Sequence, residues 1–183
     1  MKTIYIDNTD LTRGKRFTFL SEDIFVAGTT FRVQSIAGFE SVSTSSGQIV
    51  CIGDIGGERT ELLRTTNVSA SGYPSNTYKE IALRDTIQFD HPQDTPVYVI
   101  DFNRTELQWA ATVNGTKATL FAYPTSIRPD QPEMSMIDSS ASAGFYFTRF
   151  NETVANSNSD WSDAIPYSGY DDNMVASIKK RAI

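Results

Sequence analysis

The sequence predicts an all-β protein with two small antiparallel β units and a short C-terminal helix. Short segments in which apolar and polar residues alternate, rich in β-branched and aromatic side chains, recur along most of the chain. Stretches rich in Ser, Gly, Asn and Pro separate these segments, and no helical periodicity intervenes before the last residues. Strands joined by such turns form antiparallel sheets, which predicts the all-β class.

The first β unit is expected within residues 1–104 as a barrel or a sandwich. Its predicted strands span residues 31–36, 48–53, 60–65, 80–83 and 97–102. Five or six strands of this length close most naturally into a small barrel or pack as two sheets, because both arrangements protect the sheet edges.

The segment around Cys51 combines a strand with a glycine-rich turn. Alternation places Cys51 on the same strand face as Ile49, which predicts a buried small hydrophobic residue and no reactive thiol. Residues 53–57 (GDIGG) lack the Gly-Lys-Ser/Thr sequence of a phosphate-binding loop. They predict a hairpin turn in which glycine supplies positive φ angles.

The second β unit is expected at residues 105–170. The dipeptide Asn114-Gly115 predicts a two-residue hairpin turn, because both residues tolerate positive φ. A unit of this size is small for an independent sandwich, so we expect it to lean on the first unit or on a neighbouring subunit. The predicted strands span residues 105–113, 116–123, 133–138, 144–151 and a closing segment at 160–166.

Residues 171–183 predict a short helical tail. Asp171 or Asp172 is suited to cap the helix, and three basic residues near the end, Lys179, Lys180 and Arg181, suit its C-terminal dipole. Met174 and Ile178 then lie on one face. A short amphipathic segment without a partner docks on something else or frays, so this tail is expected to be either a short assembly handle or the stub of a longer parent protein.

Composition and charge exclude several classes of function. The chain has 183 residues, 16 Lys and Arg against 22 Asp and Glu, and a net charge of −6. Its basic residues are scattered along the sequence, whereas a surface that binds nucleic acid usually has clustered Lys and Arg residues. No apolar run reaches the roughly 20 residues that cross a bilayer, and the first residues lack the apolar region of a secretory signal. We therefore expect no direct nucleic-acid or membrane partner.

The scarcity of histidine and cysteine predicts that the protein is not an enzyme. One histidine, His91, and one cysteine, Cys51, leave few catalytic combinations, and His91 lies in a turn-like stretch without a nucleophile motif. It is expected to be a hydrogen-bonded or solvated loop residue. A glycosidase is disfavoured because nothing pairs two acids with an apolar pocket. No catalytic residue and no cofactor are expected.

One acidic stretch is a conceivable calcium site. It contains Asp160, Asp163, Asp171 and Asp172, separated by aromatic residues. No Asp-x-Asp-x-Asp-Gly loop is present, and scattered acids on a polar surface are common. The sequence therefore predicts no bound metal.

Several segments resemble virion structural proteins of tailed bacteriophages. Residues 31–39 (FRVQSIAGF), 47–53 (GQIVCIG) and Glu58 resemble a β module of those proteins. Residues 146–151 (YFTRFN) and 159–170 (SDWSDAIPYSGY) resemble the closing strands of their immunoglobulin-like or fibronectin type III units. The resemblance implies a structural role in the neck or head-to-tail region, on the capsid surface or in the tail. It implies a virion location after synthesis in the host cytoplasm, and other virion proteins and copies of the chain as partners.

Two binding functions remain open from the sequence. For assembly, the residues predicted to contact a partner are Trp161, Tyr167, Tyr170, Met174 and Ile178, while Trp109 is expected in the core. The alternative is a carbohydrate-binding or adhesion module, because Tyr and Trp rings stack on sugar faces. A groove of exposed aromatic rings beside Asn, Asp and Gln would favour the glycan; a flat patch with a docked tail would favour assembly.

Overall fold

The computed structural model shows an all-β protein, which confirms the predicted fold class. It describes residues 2–39, 47–71, 78–120, 124–138, 142–152, 154, 156–167 and 176–178. The chain divides into two compact units. We call Leu11–Asp101 the barrel unit; Met1–Asp10 together with Phe102–Ile183 form the discontinuous unit.

Fifteen strands and one 3-10 turn, Thr9–Leu11, make up the described secondary structure. The barrel unit contains β2 (Phe17–Phe19), β3 (Thr30–Arg32), β4 (Ile49–Ile52), β5 (Glu61–Ser71), β6 (Tyr78–Leu83) and β7 (Pro96–Ile100). The discontinuous unit contains β1 (Lys2–Asp7), β8 (Arg104–Ala110), β9 (Ala118–Thr119), β10 (Thr125–Ser126), β11 (Glu133–Asp138), β12 (Gly144–Glu152), β13 (Ser157–Asn158), β14 (Ile165–Tyr167) and β15 (Ala176–Ile178).

The sheet of the barrel unit closes on itself. Its strands follow the order β2-β7-β4-β5-β6-β3, and every neighbouring pair is antiparallel. Leu20, directly after β2, forms an antiparallel bridge with Val33, directly after β3. The Ser21 N–H donates to the Arg32 carbonyl at 2.9 Å across the same junction. Both edge strands thus gain backbone partners, and the result is a six-stranded barrel.

Strand alternation fills the barrel interior. On β4, Val50 and Ile52 face inward, while Ile49 and Cys51 form a second small cluster with Ile100 on the other face. The buried interior residues are Leu20, Ile24, Phe31, Val33, Val50, Ile52, Leu63, Ile81, Leu83, Ile87 and Val97. Cys51 is fully buried, which confirms its predicted role.

Two sheets of the discontinuous unit share one core. The smaller sheet has the order β11-β1-β15, and the larger has the order β10-β8-β12-β13, with β9 beside β8 and β14 beside β12. The core residues are Ile4, Ile6, Leu107, Met134, Met136, Tyr146 and Tyr167. Trp109 packs against this core half-buried, as expected.

The two predicted hairpin turns had different outcomes. Residues 53–57 form the first part of the connection between β4 and β5, a hairpin as predicted, with φ angles of 91° at Gly53 and 96° at Gly56. The predicted hairpin around Asn114-Gly115 is present, because β8 and β9 pair antiparallel, but residues 111–117 form its loop in place of a two-residue turn. The Gly115 N–H donates to the Thr112 carbonyl at 2.9 Å, so a local turn inside a longer loop reverses the chain.

The first ten residues belong to a different unit from the one expected. The predicted first unit began at residue 1, whereas β1 pairs antiparallel with β11, from Lys2 opposite Asp138 to Asp7 opposite Glu133. Ile4 and Ile6 are buried in the core of the discontinuous unit. The predicted strands did not include residues 2–7, and only the fold shows that β1 pairs with β11.

The predicted C-terminal helix is wrong at residues 176–178. These residues form β15, a strand parallel to β1, with Ala176 opposite Ile4 and Ile178 opposite Ile6. The other residues of the predicted helix, 171–175 and 179–183, lie outside the described residues. The β1 edge offers unpaired backbone groups, and pairing with them satisfies residues 176–178 in an extended conformation.

Candidate functional site

Trp161 belongs to a surface of the discontinuous unit that we call the cation–aromatic face, formed by Lys117, Arg149 and Trp161 above the buried ring of Phe147. The Arg149 guanidinium lies 4.3 Å from the centre of the Trp161 ring. The Lys117 ammonium lies 4.5 Å from the centre of the Phe147 ring and 5.8 Å from that of Trp161. Attraction between each cation and the ring quadrupole orders these long side chains.

Polar residues on β8 support the cation–aromatic face. Arg149 lies opposite Glu106 in the β8–β12 register, and its Nε donates to Glu106 Oε2 at 2.7 Å. The side-chain amide of Gln108 donates to Glu106 Oε1 at 2.6 Å and to Thr119 Oγ1 at 3.2 Å. Arg149 is therefore fixed between the Trp161 ring and the Glu106 carboxylate.

Tyr167 is not an exposed contact residue, and that expectation is wrong. It is buried in the core, where its ring meets Tyr146 with 6.3 Å between centroids. Pairing of β14 with β12 places Tyr167 opposite Gly144, which carries no side chain. The Tyr146 hydroxyl donates to a buried carboxylate oxygen of Asp138, so this part of the sheet is internal structure.

The structure does not describe the side chains of the predicted contact residues Tyr170, Met174 and Ile178. Tyr170 and Met174 lie outside the described residues. Ile178 lies on β15, where its backbone is opposite Ile6 of β1. Of the five residues predicted to contact a partner, Trp161 alone has a described and partly exposed side chain.

A second surface, which the sequence did not predict, lies at one end of the barrel unit. We call it the apolar tip and define it by Phe25, Val26 and Phe89, which are 67%, 55% and 39% exposed. Two loops carry these residues, and an antiparallel bridge between Ile24 and His91 joins them. Neither loop shows strand alternation, so no sequence pattern distinguished exposed from buried apolar residues here.

Backbone hydrogen bonds hold the apolar tip in shape. The Val26 N–H donates to Asp90 Oδ1 at 2.9 Å, and the Ala27 N–H donates to the Ile87 carbonyl at 2.8 Å. Ala27 has a φ of 68°, a left-handed conformation that is uncommon outside glycine. A cavity of about 350 Å³ lies beside this loop, lined by residues 22–28 and Thr30. The tip is therefore an ordered projection.

Carboxylates lie in the segments of the apolar tip, and one of them, that of Glu22, is paired with Arg32 at 3.3 Å. Residues 22–28 and 85–91 contain Glu22, Asp23, Asp85 and Asp90 and no Lys or Arg. All four carboxylate residues are exposed. Asp23 Oδ1 accepts a hydrogen bond from the Gln93 N–H at 2.7 Å, which orders that side chain.

A third exposed aromatic group lies on the outer face of the barrel. Phe17 is 56% exposed, and its ring centroid lies 5.5 Å from that of Phe19 and 5.6 Å from that of Tyr98. The Tyr98 hydroxyl donates to Asp54 Oδ1 at 2.7 Å. Partial burial and this hydrogen bond raise the pKa of Tyr98 to about 12.

The single histidine and the single cysteine are both buried. His91 Nε2 lies 2.8 Å from Glu61 Oε1, and both side chains are buried. Glu61 Oε2 also accepts the Gln88 N–H at 2.9 Å, so this carboxylate ties β5 to the loop. Burial raises the pKa of the Cys51 thiol to about 12, which keeps it protonated and poorly nucleophilic at neutral pH.

The acidic stretch considered for calcium is only partly described. Asp160 and Asp163 are exposed, and Asp171 and Asp172 lie outside the described residues. Within the described part of the chain, no group of three or more His, Cys, Asp or Glu side chains is placed to hold a metal ion. The same residues contain no helix long and apolar enough to cross a membrane.

Comparison of the chain with protein-family models, curated proteins and solved structures finds no match. The functional conclusion therefore rests on the surfaces described above and on the motifs in the sequence.

Proposed function

We propose that this protein is a structural component of a tailed-phage virion and assembles with copies of itself and with other virion proteins. The observation that carries the assembly role is the apolar tip, where large hydrophobic side chains are exposed on hydrogen-bonded loops. Ordered apolar projections of this kind mark contact sites, since exposing them to water is unfavourable. The neck or head-to-tail region, the capsid surface and the tail are the proposed locations.

The virion setting rests on the sequence resemblance. Residues 31–39 and 47–53, which carry part of it, contribute strands β3 and β4 of the barrel. Residues 146–151, which carry another part, lie within β12. The finer proposal is that the discontinuous unit is immunoglobulin-like or fibronectin type III-like.

A non-enzymatic role is part of the proposal. The histidine and the cysteine, which most often supply nucleophiles and general bases, are occupied in a buried pair and a buried cluster. A protein whose reactive groups stabilise its fold is suited to a scaffold. No cofactor is proposed, and direct contact with nucleic acid or membrane is not part of the role.

Glycan binding is the second candidate, because Trp161 lies on the same face as the polar Glu106–Gln108 pair. Sugar rings stack on open aromatic faces, but the Arg149 guanidinium already covers one side of Trp161 at 4.3 Å. The Gln108 side-chain amide also donates to Glu106 Oε1 at 2.6 Å, so these two polar groups already hydrogen-bond to each other. These contacts favour assembly over carbohydrate recognition.

The test is to look for the protein in particles. Mass spectrometry of virions purified from a host that expresses the chain should find it at a fixed copy number, and imaging should locate it at a symmetric position. A glycan array is the matched experiment for the second candidate. Absence from particles combined with tight binding of one glycan class would overturn the proposal.

A further inference from the structure

We propose that residues 159–163 form a strap that closes one edge of strand β12 and opens as a single unit, without unfolding the sheet beneath. We call this segment the serine strap, because its sequence is Ser-Asp-Trp-Ser-Asp, with one Ser-Asp pair on each side of Trp161 or directly after it. The strap carries the ring of the cation–aromatic face, so that face exists only while the strap is closed. The inference concerns this conformational device alone and does not depend on the virion setting.

The two serines of the serine strap make the same set of contacts with β12. The Ser159 N–H donates to the Phe150 carbonyl at 3.0 Å, and Ser159 Oγ accepts a hydrogen bond from the Phe150 N–H at 2.9 Å. The Ser162 N–H donates to the Thr148 carbonyl at 2.8 Å, and Ser162 Oγ accepts a hydrogen bond from the Thr148 N–H at 3.1 Å. Each serine thus supplies both a donor and an acceptor to one residue of β12.

In the serine strap, hydroxyl groups replace the backbone carbonyls of a regular strand pair. The two serines are three positions apart, whereas their partners on β12 are two positions apart. The strap therefore does not continue as a regular antiparallel strand, and residues 159–164 carry no strand assignment between β13 and β14. Each hydroxyl also donates to the carbonyl of the following aspartate, at 3.0 Å for both Asp160 and Asp163.

This spacing places Trp161 beside Arg149. Arg149 is the residue of β12 between the two that bond to the serines, and Trp161 is the partly exposed residue of the strap that lies closest to it in the pairing. The Arg149 guanidinium lies 4.3 Å from the centre of the Trp161 ring. The closed strap therefore consists of the serine contacts and one ring contact.

The serine strap is able to open separately because it contributes little to the core. Asp160 and Asp163 are exposed, while Ser159, Trp161 and Ser162 are partly exposed. The core cluster shared by the two sheets, as described above, contains no residue of the strap. Segments with few buried apolar contacts open at a lower free energy than core strands do.

Strand pairing around the serine strap keeps β12 in place when the strap opens. β13 pairs with β12 at Asn151 and Glu152, and β14 pairs with β12 from Gly144 to Tyr146. On its other edge, β12 pairs with β8 from Phe145 to Asn151. None of these pairs uses a residue of the strap, so the strap is free to lift between two fixed ends.

Amide hydrogen exchange followed by NMR tests the proposal in the unmodified chain. The N–H groups of Thr148 and Phe150 point to the strap, and by strand alternation those of Phe147 and Arg149 point to β8. After correction for intrinsic rates, the strap-facing amides should exchange at least about tenfold faster than the β8-facing amides, and should respond little to low urea concentrations. Equal rates, or an equally steep urea dependence, would overturn the proposal.

Single substitutions test whether the serine strap opens as one unit. Ser159→Ala removes the acceptor of the Phe150 N–H, so the informative amide is that of Thr148, whose own acceptor is intact. Ser162→Ala is the reciprocal variant, with Phe150 as the informative amide. If both serines share one opening equilibrium, each substitution accelerates the informative amide by about fivefold, the effect of one lost hydrogen bond. Acceleration of the adjacent amide alone would mean two independent contacts and would contradict the proposal.

Three control variants separate strap opening from a general loss of structure. Ser157→Ala replaces an exposed serine on β13, outside the strap, and should leave both strap-facing amides at parental rates. Ser159→Thr and Ser162→Thr keep the hydroxyl and should retain most of the protection. If an alanine variant also deprotects the β8-facing amides, the strap is part of the cooperative sheet and the proposal fails.

Discussion

At the scale of single residues, Glu61 and His91 show how a loop is fixed to the barrel. Their side chains meet at 2.8 Å with almost no exposure to solvent, and the Ile24–His91 bridge holds the adjacent backbone. The sequence predicted a hydrogen-bonded or solvated loop histidine, and the structure shows it hydrogen-bonded and buried. Its partner was not predictable, because 30 positions separate the two residues.

Replacing His91 should destabilise the barrel. His91→Ala leaves the Glu61 carboxylate buried with one fewer donor, and we expect a loss of about 3 kcal/mol of unfolding free energy. Glu61→Gln is the gentler comparison, because an uncharged amide oxygen still accepts hydrogen bonds. Urea denaturation measures both; an alanine variant as stable as the parent would show that the pair contributes nothing.

The raised pKa of Cys51 predicts that the stability of the fold declines at alkaline pH. Its pKa is raised from 9.0 to about 12 in the folded chain, so the folded state keeps a proton that the unfolded state loses. This contribution to stability is intact below pH 9.0 and declines as the pH rises toward 12, by at most about 1.4 kcal/mol per pH unit.

The check is denaturation at a series of pH values with Cys51→Ala as control. Above pH 9 the variant should show a shallower decline, while the part due to Tyr98, whose pKa is also raised to about 12, remains. A thiol reagent should react slowly with the native chain and rapidly in denaturant. Identical pH profiles for parent and variant would contradict the burial argument.

At the scale of elements, segments with clear alternation were predictable as strands, and the short apolar cluster near the C-terminus was not. The predicted strands at 133–138 and 144–151 match β11 and all but the last residue of β12, because each runs long enough to show its period. In residues 174–178, apolar positions fit a helical period, yet the described residues there form a strand. Over five residues, a helical period and a strand pattern cannot be separated.

Strand β15 should protect the edge of β1. Deletion of residues 171–183 removes the parallel partner of Ile4, Tyr5 and Ile6, and should cost the discontinuous unit about 1 to 2 kcal/mol. Hydrogen exchange of the β1 amides should become faster, while the barrel amides exchange unchanged. Deletion of residues 179–183 alone retains β15 and is the control. Equal β1 exchange in both truncations would rule out the pairing.

At the scale of the whole molecule, the chain begins in the discontinuous unit, forms the barrel unit, and then completes the discontinuous unit. The barrel is continuous in sequence, but the discontinuous unit needs residues 1–10 to pair with β11. β1 is the middle strand of its sheet, between β11 and β15. Folding of this unit therefore depends on a contact between positions more than a hundred residues apart.

Deletion of residues 1–10 should unfold one unit and spare the other. It removes Ile4 and Ile6 from the core and the central strand from the smaller sheet, so the discontinuous unit should lose its cooperative transition. The barrel should keep its own, because all of its strands lie within Leu11–Asp101. Calorimetry and amide exchange distinguish the units. Loss of both transitions would mean that the barrel depends on β1.

Local sequence patterns were enough to predict the all-β class, most of the strands, the glycine turn at 53–57 and the burial of Cys51. Each follows from periodicity or turn chemistry within a few neighbouring residues. The closure of the barrel, the partner of β1, the burial of Tyr167 and the surface around Trp161 became visible only in the three-dimensional fold. Those features depend on pairing between distant segments, and a local pattern shows that a residue lies on a strand without showing what lies opposite.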